Sequence, residues 1–223
     1  LRIGDQVYVE KGGEIIPKIV GFDASQRGSL EDVIQYIEHC PDCQTQLVRI
    51  DGEAQHYCPN ELGCPTQIIG RIQHFVSRKA LDIDGIGGET VGLLFHQGLI
   101  QNCADLYTLN RDQLLPLERM AEKSVDNLLA GIEASKEQPF EKVLFALGIR
   151  HVGATVAKRL AVHFGSMDKL RKATPEELLE VEEIGDKIIA SLHTYFQVEE
   201  NLRIIDKLTA SGVSMVGEVK VLS

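Results

Sequence analysis

Cys40-Pro41-Asp42-Cys43 and Cys58-Pro59-Asn60-Glu61-Leu62-Gly63-Cys64 divide this chain, strand-like before them and helical after. The spacing is C-x2-C, fourteen residues, then C-x5-C. Two close thiol pairs on a hairpin-sized loop can meet at one tetrahedral Zn²⁺. In the first pair, Pro41 and Asp42 favour a turn whose N–H groups stabilise thiolate charge. Between the pairs, Leu47-Val48-Arg49-Ile50 and His56-Tyr57 flank Asp51-Gly52, a hairpin signal. Four thiolates fill every position on such a metal, so the site reads as structural rather than catalytic. Two disulfides are the competing reading, which the lack of a secretory pattern disfavours. His56 reads as a surface residue, not a ligand.

The composition is that of a globular protein: 43% hydrophobic and 25% charged over 223 residues. Aromatics are only 5%, with no Trp, which suits small aliphatic-cored helical modules. No apolar run reaches membrane-spanning length. Leu1-Arg2-Ile3-Gly4-Asp5 has neither an initiator Met nor a signal-peptide pattern and reads as a cut in a longer protein. The fifth cysteine, Cys103, stands alone and reads as a small core or half-buried residue. A net charge of −10 weighs against coating nucleic acid by bulk charge. Any such contact must rest on placed cations and backbone N–H groups.

Residues 1–22 alternate as strands. Val7 and Val9 alternate with Gln6, Tyr8 and Glu10, Gly12-Gly13 marks a turn, and Ile15 to Val20 form a second apolar run. Two strands are not a stable unit, so this piece reads as the remnant of a small barrel or as a ribbon that pairs with something else. Pro17 places its run at an edge or bulge.

From Pro65 the pattern turns helical, with Ile68, Ile69, Ile72, Phe75 and Val76 at helical spacing. A repeat then emerges at intervals of 34, 32 and 32 residues when Ile83, Leu117, Ile149 and Val181 are aligned. Two residues earlier stand Leu81, Leu115, Leu147 and Leu179. Three later stand Ile86, Met120, Val152 and Ile184, then the small residues Gly87, Ala121, Gly153 and Gly185. Eleven later stand Leu94, Leu128, Leu160 and Leu192. Each unit is an apolar helix end, a short turn and a second helix, whose buried stripe is Val125, Leu128, Leu129 and Ile132 in one copy and Val156, Leu160 and Phe164 in another.

The small residue permits unusual backbone angles and close approach to another surface, and the helix start behind it is an anion site. Thr174-Pro175-Glu176-Glu177 and Asn110 mark starts of the connecting helices. This is the helix-hairpin-helix pattern, a reader of duplex DNA backbone and minor groove. The alternative is four hairpins packed as a bundle, with glycine serving only as turns. The candidate contacts are Gly85, Gly87 and Gly88 in the first copy, Lys123 in the second, Arg150, His151, Gly153 and Lys158 in the third, and Gly185 and Lys187 in the fourth. Charge ranks them third, first, second, fourth, since Glu182 and Glu183 burden the last. Residues 197–212 are expected to continue as helix to Gly212, and 213–223 as a linker or tail.

Taken together, these parts resemble the C-terminal half of bacterial NAD⁺-dependent DNA ligases. Gly4-Asp5-x-Val7-x-Val9-x-Lys11-Gly12-Gly13-Glu14-Ile15-Ile16-Pro17-Lys18 is similar to the end of that family's OB-fold. The cysteine cluster is similar to its zinc finger, and Leu147-Gly148-Ile149-Arg150-His151-Val152-Gly153 to its most recognisable hairpin. The resemblance implies a multidomain, mainly α chain: the end of an OB-fold over 1–39, a zinc finger held by Cys40, Cys43, Cys58 and Cys64 over 40–65, four helix-hairpin-helix copies over 66–212, and a linker toward a BRCT domain over 213–223.

It further implies a monomeric, cytoplasmic, nucleoid-associated protein whose partner is nicked duplex DNA, with no membrane role. The family joins a 3′-hydroxyl to a 5′-phosphate in replication and repair, using NAD⁺ and Mg²⁺, through an adenylated lysine in a K-x-D-G motif. No K-x-D-G occurs here, so this chain is expected to grip DNA without adenylating itself. Lys11 matches a basic OB-fold position facing the minor groove, and Lys18 is a weaker candidate. The zinc knot is expected to set the angle between barrel and hairpins. Two other readings stay open: a hairpin module of another DNA-processing protein, and a zinc-stapled protein-interaction scaffold.

Overall fold

A computed structural model describes residues 1–13, 16–28, 32–53 and 55–217. The chain forms two compact units, Leu1–Asn60 and Glu61–Ser223, each described by itself.

In the first unit β1 (Val7–Gly12) and β2 (Ile16–Phe22) form an antiparallel ribbon running from Val7↔Phe22 to Gly12↔Ile16. The register shifts where Tyr8 faces Gly21 but Val9 faces Ile19, so Val20 is the extra residue and the bulge sits there rather than at Pro17. Of the second apolar run, Ile15 lies outside the described residues. The Arg27 guanidinium grips the Asp5 carboxylate with two hydrogen bonds of 2.7 and 2.5 Å and stacks 4.0 Å above the Phe22 ring. With the Arg2 N–H also donating to it, Asp5 is held down to about 2. Among the described residues of this unit only Cys40 is buried. Val9, Ile16, Ile19 and Val20 are all exposed, because two strands have no opposite layer to cover them.

The second unit is helical around one core. Helix α1 (Pro65–Val76) buries Ile68, Ile72, Phe75 and Val76, the expected stripe at helical spacing. It packs on α2 (Gly88–His96); α3 (Arg111–Leu114) packs on α4 (Glu122–Ser135), α5 (Phe140–Ala146) on α6 (Ala154–Phe164), and α8 (Pro175–Leu179) on α9 (Asp186–Gln197). Short α7 (Met167–Leu170) and α10 (Glu199–Ala210) complete the set. Leu94, Leu128, Leu160 and Leu192, the aligned leucines of the second helices, are all buried. The earlier leucine is less uniform: Leu81 and Leu147 are buried, but Leu179 is 55% exposed and Leu178 takes the core place in that copy.

The connecting helices start where the caps predict. Thr174 accepts from the Glu177 N–H while the Glu177 carboxylate accepts from the Thr174 N–H, and Asn110 pairs with Gln113 in the same reciprocal way. Two expectations fail. The helix expected through 197–212 breaks at Val198, which is extended (φ −82°, ψ 113°) and both ends α9 and starts α10. The Asn201 amide spans the break, donating to the Tyr195 carbonyl. Residues 213–217 are no free tail: Val213 and Met215 are buried, and the Met167 and Gly217 N–H groups bond the Met215 and Gly165 carbonyls. The rest of that tail lies outside the described residues. No described helix is long and apolar enough to cross a membrane.

Candidate nucleic-acid interface and metal centre

The cysteine segment folds locally. His39 bridges to Gln46, and β3 (Val48–Arg49) pairs antiparallel with β4 (His56–Tyr57) beyond a turn in which Gly52 has φ +84°. Cys64 is the residue before α1, whose first position is Pro65. The Sγ atoms of Cys40, Cys43, Cys58 and Cys64 all lie within 4.8 Å of one another, with Cys43 and Cys58 at 3.5 Å. A zinc tetrahedron with Zn–S bonds of about 2.3 Å has S···S edges near 3.8 Å, so the donor set fits that ion.

The Thr45 hydroxyl, 3.2 Å from Cys43 Sγ, and the Thr45 N–H bring the Cys43 thiol down to about 6. Burial raises Cys58 to about 11, partly opposed by the Asn60 N–H. The Asn60 N–H lies two residues beyond Cys58 in a Cys-Pro turn, whereas the N–H that helps Cys43 is that of Thr45, outside the Pro41-Asp42 turn expected to supply it. A dication is what would let all four sulfurs be thiolates at neutral pH. Among the described residues 39–65 only Cys40 and Cys64 are buried, so no apolar core substitutes for a metal. His56 is not the surface residue expected. It is half-buried, its ring stacks 4.0 Å from Tyr36, and its Nδ1 is enclosed without a hydrogen-bond partner.

The four aligned turns share one backbone. Two residues after the aligned apolar position the chain is left-handed in every copy: Gly85 (φ 82°), Arg119 (65°), His151 (65°) and Glu183 (63°). Two residues further, Gly87, Ala121, Gly153 and Gly185 are extended N-caps of α2, α4, α6 and α9, with ψ between 159° and 177°. Each cap carbonyl accepts the first helical bond at 2.9–3.1 Å, from Val91, Val125, Ala157 and Ile189. The unusual backbone angle therefore falls on the residue two before the small one. At Gly87, Gly153 and Gly185 nothing stands within 4 Å of where a Cβ would sit. Internal packing does not require glycine there, and the caps leave the first-turn N–H groups of four helices without side-chain acceptors.

The sequence candidates divide. Lys11 is exposed on β1 opposite Pro17. Lys123 and Lys187 are exposed at the second positions of α4 and α9, Arg150 and His151 are exposed in the third turn, and Lys158 is exposed on α6. Gly85 has an internal reason instead: a Cβ there would lie 3.1 Å from the backbone of Leu128 on α4. Gly88 is covered by the Gln73 side chain, 3.1 Å from its would-be Cβ. Sequence marks Arg159 only as a cation beside Lys158 in the helix behind the third turn, and does not mark Ser191. The Arg159 guanidinium reaches Glu182 and Glu183 of the fourth turn, and Ser191 Oγ lies 2.9 Å from His151 Nδ1.

A cysteine tetrad suited to a metal, together with helix hairpins that have open glycine caps, defines a four-cysteine, helix-hairpin-helix protein. Family comparison agrees: residues 39–65 match the NAD-dependent DNA ligase C4 zinc finger domain, and 142–205 the helix-hairpin-helix motif. The chain is 57% identical over 215 residues to a DNA ligase of Christiangramia forsetii and 58% over 213 to one of Flavobacterium johnsoniae, each match covering 96% of this chain and 32% of the relative. It is 50% identical over 216 residues to a DNA ligase of Bacillus licheniformis. The chain matches the zinc-finger and helix-hairpin-helix region of NAD-dependent DNA ligases and spans about a third of the length of the curated relatives it matches.

Proposed function

We propose that this chain is the duplex-gripping portion of a ligase that seals nicks between a 3′-hydroxyl and a 5′-phosphate, with NAD⁺ and Mg²⁺ handled by parts of the protein outside it. In this reading residues 1–39 are the end of an OB-fold. Cys40, Cys43, Cys58 and Cys64 hold a structural zinc, which shapes the finger and takes no part in chemistry. The helix-hairpin-helix motif extends from the matched pair of copies to all four, and its domain runs past 212 to at least 217. The exposed apolar faces of the β1–β2 ribbon support the first assignment, since the remainder of a barrel is what such faces need.

One observation carries the reading: helices α2, α6 and α9 open at glycines whose Cβ positions face empty space, behind identically shaped turns. A phosphate backbone can approach such a start closely and accept its N–H groups, and the Ala121 copy has the same shape. Lys11, Lys123, Arg150, Lys158 and Lys187 would then add placed positive charge to a chain of net −10, with the exposed His151 beside Arg150 in the third turn. Contacts of this kind position a duplex and read little sequence, which suits an enzyme that joins any nick. The protein would act as a monomer in the bacterial cytoplasm, on the nucleoid.

The test is binding of the zinc-loaded chain to a nicked duplex, followed by joining when the adenylating part is supplied in trans. Salt-sensitive binding and restored joining are expected. Binding without restored joining would point instead to another DNA-processing protein, and no binding would leave only a protein scaffold.

A further inference from the structure

The left-handed residue of each turn meets the next helix of a neighbouring copy, and the meetings are reciprocal. In the third and fourth copies, His151 Nδ1 lies 2.9 Å from Ser191 Oγ on α9. In return, Arg159 on α6 reaches the fourth turn: Nη2 stands 3.0 Å from the Glu183 carboxylate, and Nη1 donates to the Glu182 carbonyl at 2.8 Å with the Glu182 carboxylate at 3.5 Å. In the first and second copies the Gly85 turn abuts the Leu128 backbone of α4, and Arg119 stands 3.7 Å from Glu89 of α2. The two pairs differ in strength. Arg119 is 81% exposed, whereas Arg159 is only 27% exposed and holds three acceptors at once.

We propose that Arg159 is a positioning residue for duplex binding: it fixes the fourth turn against α6, so that the N-termini of α6 and α9 engage one backbone as a rigid pair. The acids Glu182 and Glu183, which would repel phosphate if free, are the counterpart of this clamp. Both are turned to use by Arg159, and Glu183 is held in a left-handed conformation that a non-glycine residue adopts only at a cost. His151 and Ser191 close the loop from the other side. The Ser191 hydroxyl donates to the Lys187 carbonyl within α9, so its oxygen accepts from the imidazole N–H, tying turn three to the first turns of α9.

The consequence for DNA rests on the duplex-gripping reading above; the clamp itself concerns the protein alone. The experiment compares Arg159→Ala, Glu183→Ala and the double variant of the zinc-loaded chain by nicked-duplex anisotropy across salt and by amide exchange at Ile188 and Ile189, whose N–H groups bond the Gly185 carbonyl. The clamp predicts about fivefold to tenfold weaker binding for Arg159→Ala, a smaller loss for Glu183→Ala, which leaves both Glu182 acceptors on Arg159, and no loss in the double beyond that of Arg159→Ala. It predicts an unchanged salt slope and faster exchange at the start of α9 in all three. Arg159→Lys, which keeps the charge but not the fork, should recover part of the affinity.

Loss of affinity on removing an acid is the telling result, because simple repulsion predicts a gain. Tighter binding by Glu183→Ala, with a salt slope smaller by about one in Arg159→Ala, would make Arg159 a direct phosphate contact and overturn the proposal. If the parent chain binds no duplex, the gripping reading fails. The clamp is then judged by exchange alone: acceleration at Ile188 and Ile189 supports it, and unchanged exchange there refutes it.

Discussion

Replacing Gly153 by alanine separates a glycine kept for packing from one kept for an outside surface. At Gly153 the backbone (φ −79°, ψ 177°) suits any residue, and nothing lies within 4 Å of the new methyl. Removing glycine freedom from the unfolded chain contributes about 0.4–1 kcal/mol of stability. Alanine is a poorer N-cap than glycine by roughly the same amount. The two effects nearly cancel, so Tm should move by no more than about 2 °C. Gly131→Ala is the contrast. Its methyl would stand 2.4 Å from the Asp84 carbonyl oxygen and 3.1 Å from the Asp84 nitrogen, where backbone must yield. That overpacking costs about 1–3 kcal/mol, or several degrees.

For a phosphate backbone seated on the start of α6 the ranking reverses. The Gly153 methyl holds the strand away from the first-turn N–H groups and should weaken nicked-duplex binding by about tenfold, the loss of one charge-assisted hydrogen bond. The assays are thermal unfolding and fluorescence anisotropy on the same preparations. An unchanged dissociation constant for Gly153→Ala, or a fall in its Tm matching that of Gly131→Ala, would refute the reasoning.

Other outcomes follow from the same geometry. Chelating the metal, or Cys64→Ser, should unfold residues 39–65, where Cys40 and Cys64 are the only buried side chains among the described residues; retention of the β3–β4 ladder by NMR without zinc would contradict this. Asp5, held down to about 2 mainly by its hydrogen bonds from Arg27, has a folded value below its unfolded one near 3.9. Its contribution is therefore present above about pH 4 and lost as pH falls toward 2. Exchange protection around Arg27 should fall in that window and become flat with pH in Asp5→Asn. Burial pushes Cys103 up to about 12, so its alkylation at pH 8 should be far slower in the native protein than in denaturant; equal rates would contradict that environment.

Sequence revealed what short-range chemistry decides. Thr174-Pro175 and Asn110 were readable as helix starts because their acceptors lie three residues away. The cysteine spacing was readable because ligand geometry restricts it. The left-handed turn position was hidden because Arg119, His151 and Glu183 hold it in place of glycine, and contacts with another copy accompany it. The Arg159 contacts were hidden for a related reason: they lie 23 and 24 residues away, and nothing at Arg159 itself announces them. The break at Val198 escaped because apolar spacing continues on both sides of it. Val213 and Met215 alternate as a strand would, but their burial depends on Gly165 and Met167, which local pattern does not bring near.

The most direct test of the account is the affinity of the zinc-loaded chain for a nicked duplex measured against salt. Gripping through helix starts and a few placed cations predicts that log Kd rises linearly with log salt, with a slope of several units, about 0.9 per phosphate neutralised. The combined Lys158→Ala and Lys187→Ala variant should reduce that slope by about two. Binding indifferent to salt, or a slope unmoved by that variant, would contradict it.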